Sequence, residues 1–383
     1  MIKALLAHTT EVDDVELAVS EVLEQLNIER NLLKNSVGIV LCYLDFIKNG
    51  IVRAICEKLP FDVAGINALT NATANGGGPI TLSLAVLTSD DVFFSTGVSA
   101  PLKHEWLEPM KELYESTSKK HGERPSLILS FAPVALHSTA GDNLVDALDK
   151  ASDGVPIFGM MPSDFSSALR NPQTILNGET YVDAMTVIVM SGAINPRFTR
   201  ISIPGENALK KKAVVTSVNG DVLKEINGVP AFEYLKSIGL VRDEEEVNSQ
   251  TIPLVIYPND GAEPVARAVF ALTPDGDPLM GGLVPEGSTI GLGVISPSDV
   301  VDAVSKTIES LDEFSFLLVA SCVSRNFILG SDDMAEIDRL QAGLGKNSPF
   351  LFVSVGGEIC PVRAADGKYV NRFHNYTIVS CAL

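Results

Sequence analysis

The chain is poor in positive charge and lacks the common catalytic signatures. Lys and Arg number 29 against 48 Asp and Glu, a formal net charge of −19. Nucleic acid and anionic membranes require a basic face, so neither is an expected partner. No uninterrupted apolar run reaches about 18 residues, so no membrane insertion is expected. The opening stretch, MIKALLAHTTEVDD, turns acidic too early for a secretory signal and reads as a first strand. No GxSxG elbow and no GxxxxGK[ST] loop occur. The glycines of NGGGP lack a phosphate-binding lysine and precede a strand, so a dinucleotide site is unsupported. Neither HExxH nor clustered Cys and His suggests zinc. Five cysteines, Cys42, Cys56, Cys322, Cys360 and Cys381, are odd in number, lack CxxC spacing and mostly sit in apolar runs. Buried thiols in a reducing cytoplasm are expected, rather than a disulfide framework.

What is present is an alternation of strands and helices over 383 residues, enough for two domains. The spacing predicts a helix over Val15–Leu26, a buried strand in SVGIVLCYL, a helix over Ile47–Leu59 and a strand in FDVAGINAL. ITLSLAVLTSDDVFFSTGVSA reads as a hairpin turning at Ser89-Asp90-Asp91. Further helices are expected near Glu105–Lys120, Asn143–Ala151 and Ser298–Leu311. After Asn195-Pro196 the segments become strand-like with Gly, Pro and Asp turns, Asn219-Gly220-Asp221 being the clearest. The expected fold is mixed α/β (α+β) in two domains, 1–195 and 196–383, each a mixed sheet flanked by helices. The densest acidic run, Asp243 to Glu246, reads as a solvated loop.

Three segments echo one another: GIVLCYLDF to ITLSLAVL, SLILSFAPV to DAMTVIVM, and FLLVASCVS to NYTIVSCAL. Each is a strand, a helix, a second strand, a polar loop and a return strand. The break after the second strand offers Asn71, Asp164 and Glu358, and strand ends of such sheets are where ligands are held. Turns also favour Asn and Asp for local reasons.

Among the histidines, His374 in RFHNYT stands just before the last strand, where it could pair with Glu358, act as a base, bind a ligand or haem iron, or simply bond the backbone. Cys322 ends a strand beside Arg325. Its thiol reads as a buried small residue or an activated nucleophile, and the guanidinium could fork onto Glu358 or a ligand carboxylate. His137 and Asp142 could form an acid–base pair, but TAGDN reads better as a helix entrance capped near Asp142. His8, His104 and His121 read as surface or loop residues. Met160 and Met161 read as core or pocket wall.

FLLVASCVSRNFILG, a helix, PFLFVSVGGEICPV and RFHNYTIV, in this order, resemble the C-terminal domain of FIST proteins. VNGDVLKEINGVPAFEYL is similar to the opening of that domain, and the half containing VPIFGMMPSD is similar to the FIST N-terminal domain. The resemblance implies an intracellular sensory module for a small ligand, with amino acids proposed; some members of the family bind haem and respond to nitric oxide. It carries over Cys322, Arg325, Gly357, Glu358, His374 and Asn375 as site residues. Where the family often has Gly-Glu in the first domain, this chain has Thr70-Asn71, which removes a carboxylate.

The leading expectation is therefore a non-catalytic cytoplasmic sensor whose small ligand lies where the domains meet, and whose signal passes to a separate protein. Three alternatives stay open: an enzyme using Cys322 or His374 with Glu358, a haem sensor ligated by His374 or His137, and an interaction scaffold. Which cofactor, if any, is used is unknown, and homodimerisation is expected only because it is common.

Overall fold

The apolar runs become strands covered on both faces, and they repeat in three units. The computed structural model describes residues 1–102, 105–134, 141–164, 171–202, 207–243, 246–247, 251–259, 263–345, 348–363 and 367–383. The first unit runs β1 (Lys3–Thr9), α1 (Val15–Leu26), α2 (Ile28–Asn31), β2 (Asn35–Cys42), α3 (Leu44–Lys48), α4 (Ile51–Lys58), β3 (Val63–Asn67), β4 (Thr70–Thr73), β5 (Gly76–Pro79) and β6 (Leu82–Ser89). The second runs β7 (Val92–Val98), α5 (Leu107–Ser118), β8 (Leu127–Phe131), α6 (Gly141–Ser152), β9 (Ile157–Met161), β10 (Thr174–Leu176), β11 (Glu179–Tyr181) and β12 (Thr186–Gly192).

The third unit opens with β13 (Arg197–Ile201) and is then interrupted by an inserted segment. That segment holds β14 (Ala208–Asn219), β15 (Val222–Ile226), β16 (Val229–Pro230), α7 (Ala231–Ser237), β17 (Val241–Asp243), β18 (Glu246–Val247), β19 (Leu254–Tyr257), β20 (Val265–Arg267), β21 (Val269–Leu272), β22 (Pro278–Met280) and β23 (Thr289–Gly293). The unit resumes with α8 (Pro297–Glu309), β24 (Leu317–Cys322), α9 (Val323–Leu329), α10 (Ala335–Leu344), β25 (Phe350–Val355), β26 (Gly357–Arg363), β27 (Tyr369–His374) and β28 (Ile378–Ala382).

Each unit lays down the same strand order: β1-β6-β2-β3, β7-β12-β8-β9 and β13-β28-β24-β25. The pairs β2–β3, β8–β9 and β24–β25 are parallel and the other neighbours antiparallel, so the sheets are mixed, as expected. Each sheet reaches six strands by borrowing a hairpin from another unit. The β10–β11 hairpin of the second unit pairs with β3, β26–β27 of the third with β9, and β4–β5 of the first with β25. The units interlock in a cycle.

Their inner faces share one core, where Ile39 and Ile66, Leu129 and Phe158, and Leu318 and Val353 come from the three sheets in turn. The outer faces pack beneath α1 and α4, α5 and α6, and α8 and α10. Burial on both faces is why these strands read as continuous apolar runs without alternation. The inserted segment has its own sheet, β20-β19-β23-β14-β15-β22-β21 with β16 on β15, and its own core around Val215, Ile226, Leu235 and Ile290. Residue 196 falls between β12 and β13, and strands from both sides of it share the second and third sheets. Among the described residues no helix is long and apolar enough to cross a membrane.

Local rules hold where the signal is local. Asp14 accepts from the Leu17 amide and starts α1, and Asn27, left-handed at φ 44°, ends it. Three expectations change. The helix over 47–59 breaks at Asn49-Gly50, with Gly50 at φ 78°. The expected hairpin across Ser89-Asp90-Asp91 does not form: β6 is already flanked by β1 and β2, so β7 crosses to β12 in the second sheet. The β10–β11 hairpin, turned by Asn177-Gly178 at φ 51° and 83°, was not anticipated.

Candidate functional site

The site is built on the hairpin that the third unit lends to the second. After β25 the chain passes Gly356 into β26, where a Cβ at Gly357 would meet the Phe373 ring at 2.5 Å. A glycine at this position permits that close approach. Glu358 follows, fully buried, opposite Met160 on β9 and His374 on β27. Its Oε2 accepts from Thr377 Oγ1 at 2.7 Å, while Oε1 has no hydrogen-bond partner among the described residues. Burial pushes this carboxyl up to about 8, against hydrogen bonds from Thr377 and Cys322 and the charge of Arg325. Burial thus favours its protonated form.

Cys322, at the end of β24, is 2 % exposed. Burial and then Glu358 push its thiol up, so it is a weak nucleophile in this setting. Ser324 bonds both Cys322 and the buried Tyr376 phenol. Arg325 is brought to this cluster but is held elsewhere. Its Nη2 and Nε lie 2.8 and 3.2 Å from Glu336 Oε1, Nε donates to Ser321 Oγ, and Nη2 donates to the Val300 carbonyl. Both ions of this pair are buried.

His374 stands opposite Glu358 in register without pairing to it. Its Nε2 is 3.1 Å from the Cys360 carbonyl and therefore carries the hydrogen. Burial, reinforced by the charge of Arg200, pushes the ring down to about 3, so it is neutral. Asn375 is buried with Oδ1 unpartnered, and a Cβ at Gly281 would come within 3.3 Å of that oxygen. The inserted segment is latched beside it. Arg267 Nη2 donates to Asp142 Oδ1 at 3.0 Å and Nη1 to the Phe373 carbonyl at 3.3 Å, and the Leu283 amide donates to Asp142 Oδ2 at 2.9 Å. Asp142 thus stands in the first turn of α6, as expected, and also anchors another element.

The echo between units is visible side chain by side chain. Asn71 lies opposite Gly78 and donates through Nδ2 to the Thr81 carbonyl at 2.9 Å. Glu358 lies opposite His374 and receives from Thr377. Ile80 and Tyr376, just before these threonines, are both left-handed, at φ 50° and 58°. In the second unit the counterpart is Thr174, opposite Tyr181, with Oγ1 donating to the Ala184 carbonyl at 2.8 Å. Asp164 sits earlier, in the loop after β9, buried and accepting from the Asn171 amide. Close by, Ser163 ties the units together. It donates to the Ser354 carbonyl, accepts from the Leu69 amide, and its own carbonyl accepts from Asn67 Nδ2.

Sequence reasoning missed Glu336, Ser324, Tyr376, Thr377, Thr174 and Arg267. Of these only Arg267 left a readable trace, in Gly282, where a Cβ would meet its guanidinium and the Asp142 carboxylate. Met160 and Met161 are core residues. His121 bridges Ser95 and Ser191 at 2.8 and 2.6 Å, so it is better tied than expected. His8 has a buried Nδ1 without a partner. His104 and His137 lie outside the described residues, as do residues 244 and 245 of the acidic run. A cavity of about 200 Å³ beneath α7 and an open groove of about 500 Å³ beside Lys34 and Asp62 both lie away from Glu358. Among the described residues no cluster of three or more His, Cys, Asp or Glu could hold a metal ion. His374 does not fit haem ligation, because its ring is 4 % exposed and Nε2 is spent on a carbonyl.

The FIST N domain matches residues 36–229 and the FIST C domain residues 231–361. The chain belongs to the FIST family. FIST domains are associated with small-ligand sensing in signal transduction. Within this frame Asn71 and Asp164 lie in the FIST N segment and Cys322, Arg325 and Glu358 in the FIST C segment, while His374 and Asn375 follow it. No curated protein matches the chain.

Proposed function

We propose that this FIST protein is a non-catalytic cytoplasmic sensor that holds a small ligand of amino-acid type at Glu358 and passes its signal to a separate protein. The observation that carries this reading is the fully buried Glu358 carboxyl with Oε1 left unpartnered. Such an atom costs about 1–3 kcal/mol of stability, a cost that a ligand donor would remove. The second support is the chemistry beside Glu358: burial pushes the Cys322 thiol up, so it keeps its proton, and the His374 imidazole bonds a carbonyl.

Glu358 is enclosed in this conformation, so entry of a ligand requires movement. The inserted segment, latched through Arg267 and Asp142, is the natural moving part, and a ligand favours closure only by binding the closed form better. A thermal-shift panel of amino acids and organic acids, with Glu358→Ala in parallel, tests the proposal. A ligand-dependent rise in Tm that vanishes in the variant is expected. A rise that persists in Glu358→Ala would place the site elsewhere, and no rise for any compound would favour a scaffold.

A further inference from the structure

We infer that the group recognised at Glu358 is a protonated amine, taken up in exchange for the proton of the Glu358 carboxyl. The inference rests on the ligand-site reading above and names the chemistry of that site. Its ground is the inventory of what is already spent. A ligand carboxylate would require a cation, and the arginines of this region are committed. Arg200, whose charge reaches His374, is paired with Glu263 and bonds Ser202. Arg325 is held by Glu336, Ser321 and the Val300 carbonyl. Arg267 is held by Asp142 and by the Phe373 and Leu283 carbonyls. With Oε2 accepting from Thr377, the carboxyl hydrogen falls on Oε1. Once that proton leaves, Oε1 is an acceptor with no donor among the described residues, which an ammonium N–H fits.

The groups that face this carboxyl decide its charge. Cys322 from β24 and Tyr376 from the turn before β28 are neutral, His374 from β27 is neutral, and Arg325 from α9 is cationic but paired to Glu336. From β9 the register partner is Met160, which carries no charge. A neutral carboxyl therefore suits the ligand-free state. An arriving ammonium supplies the positive charge that makes the carboxylate stable there. The exchange balances: the carboxyl O–H bond breaks, its proton leaves to solvent, and an N–H of the ammonium takes its place on the carboxylate, with net charge at the site conserved.

Isothermal titration calorimetry of the full chain tests this. The probes are the twenty amino acids, then the decarboxylated amine and the deaminated acid of each one that binds, in phosphate and in Tris. The amine is expected to retain binding and the acid to lose it. About one proton is expected to leave per ligand bound at pH 6.5, and affinity should rise about tenfold per pH unit towards 8 before levelling. Glu358→Gln, isosteric with the protonated side chain and checked for folding by its melting curve, should abolish both the proton release and the pH slope. Binding without proton release, or an acid that binds as tightly as its amine, would overturn this inference and leave the ligand-site reading standing. No binding by any probe would overturn both.

Discussion

The first and third units share a skeleton and differ in one buried group. Asn71 and Glu358 occupy matching places, each on the borrowed hairpin, each joined to a threonine that follows a left-handed residue. Both are fully buried and each leaves one oxygen unpartnered. The amide of Asn71 cannot ionise, whereas the carboxyl of Glu358 can. The threefold plan therefore supplies the scaffold three times and acid chemistry once, and Thr174 in the second unit supplies neither charge nor amide. A second contrast lies within the third unit. Glu336 has its cation in Arg325, while Glu358, near the same guanidinium, has only a hydroxyl and a thiol. One buried carboxyl group has an ion-pair partner, and the other has none among the described residues.

The largest effect should come from breaking the structural pair. Arg325→Ala or Glu336→Gln leaves the other member of a buried pair uncompensated, and a loss of about 3–5 kcal/mol is expected in urea unfolding. An effect below about 1 kcal/mol would mean that the pair is more hydrated than its burial indicates.

Next in size is the pH response of Glu358. Its folded value, about 8, lies above the ordinary 4.5, so the stability tied to its proton is complete below 4.5 and is lost as pH rises through 8. The slope approaches about 1.4 kcal/mol per pH unit in that window, and Glu358→Gln should flatten it. His374 acts in the opposite sense. Its folded value, about 3, lies below 6.5, so its contribution is present above 6.5 and is lost as pH falls towards 3. Melting curves across pH 3–9 separate the two.

Asn71→Asp would carry the acid into the first unit. It should match the wild type at the acid end and fall behind as pH rises above about 4, since a lone buried carboxylate is costly. If its curve simply parallels the wild type, the correspondence with Glu358 fails. The smallest effects should come from Thr377→Val and Thr174→Val. Each loses about 1 kcal/mol with its hydrogen bond, but only Thr377→Val should shift the titration of Glu358, and it should shift it upward.

How much of this was legible in the sequence follows from the range of each signal. The bounds of α1 could be read because Asp14, the apolar spacing and Asn27 lie within one short stretch. The strands of the three units could be read because burial on both faces leaves continuous apolar runs. The exchange of hairpins could not be read, since β26 and β9 pair across the chain with no local trace of the partner. The same limit applies to the site. GGEI and FHNYT marked Glu358, His374 and Asn375, but nothing near Arg325 announced that Glu336, one helix further on, would hold it. Asp164 was chosen by its nearness to β9, while the hydrogen-bond pattern makes Thr174 the counterpart.

The most direct measurement of the central claim is the carboxyl titration of Glu358 itself, followed by ¹³C NMR on glutamate-labelled protein and assigned by loss of the signal in Glu358→Gln. The account predicts a midpoint near 8 in the free protein that moves down by several units when an amine ligand is bound. A midpoint near the ordinary 4.5, unchanged by every ligand that binds, would contradict it.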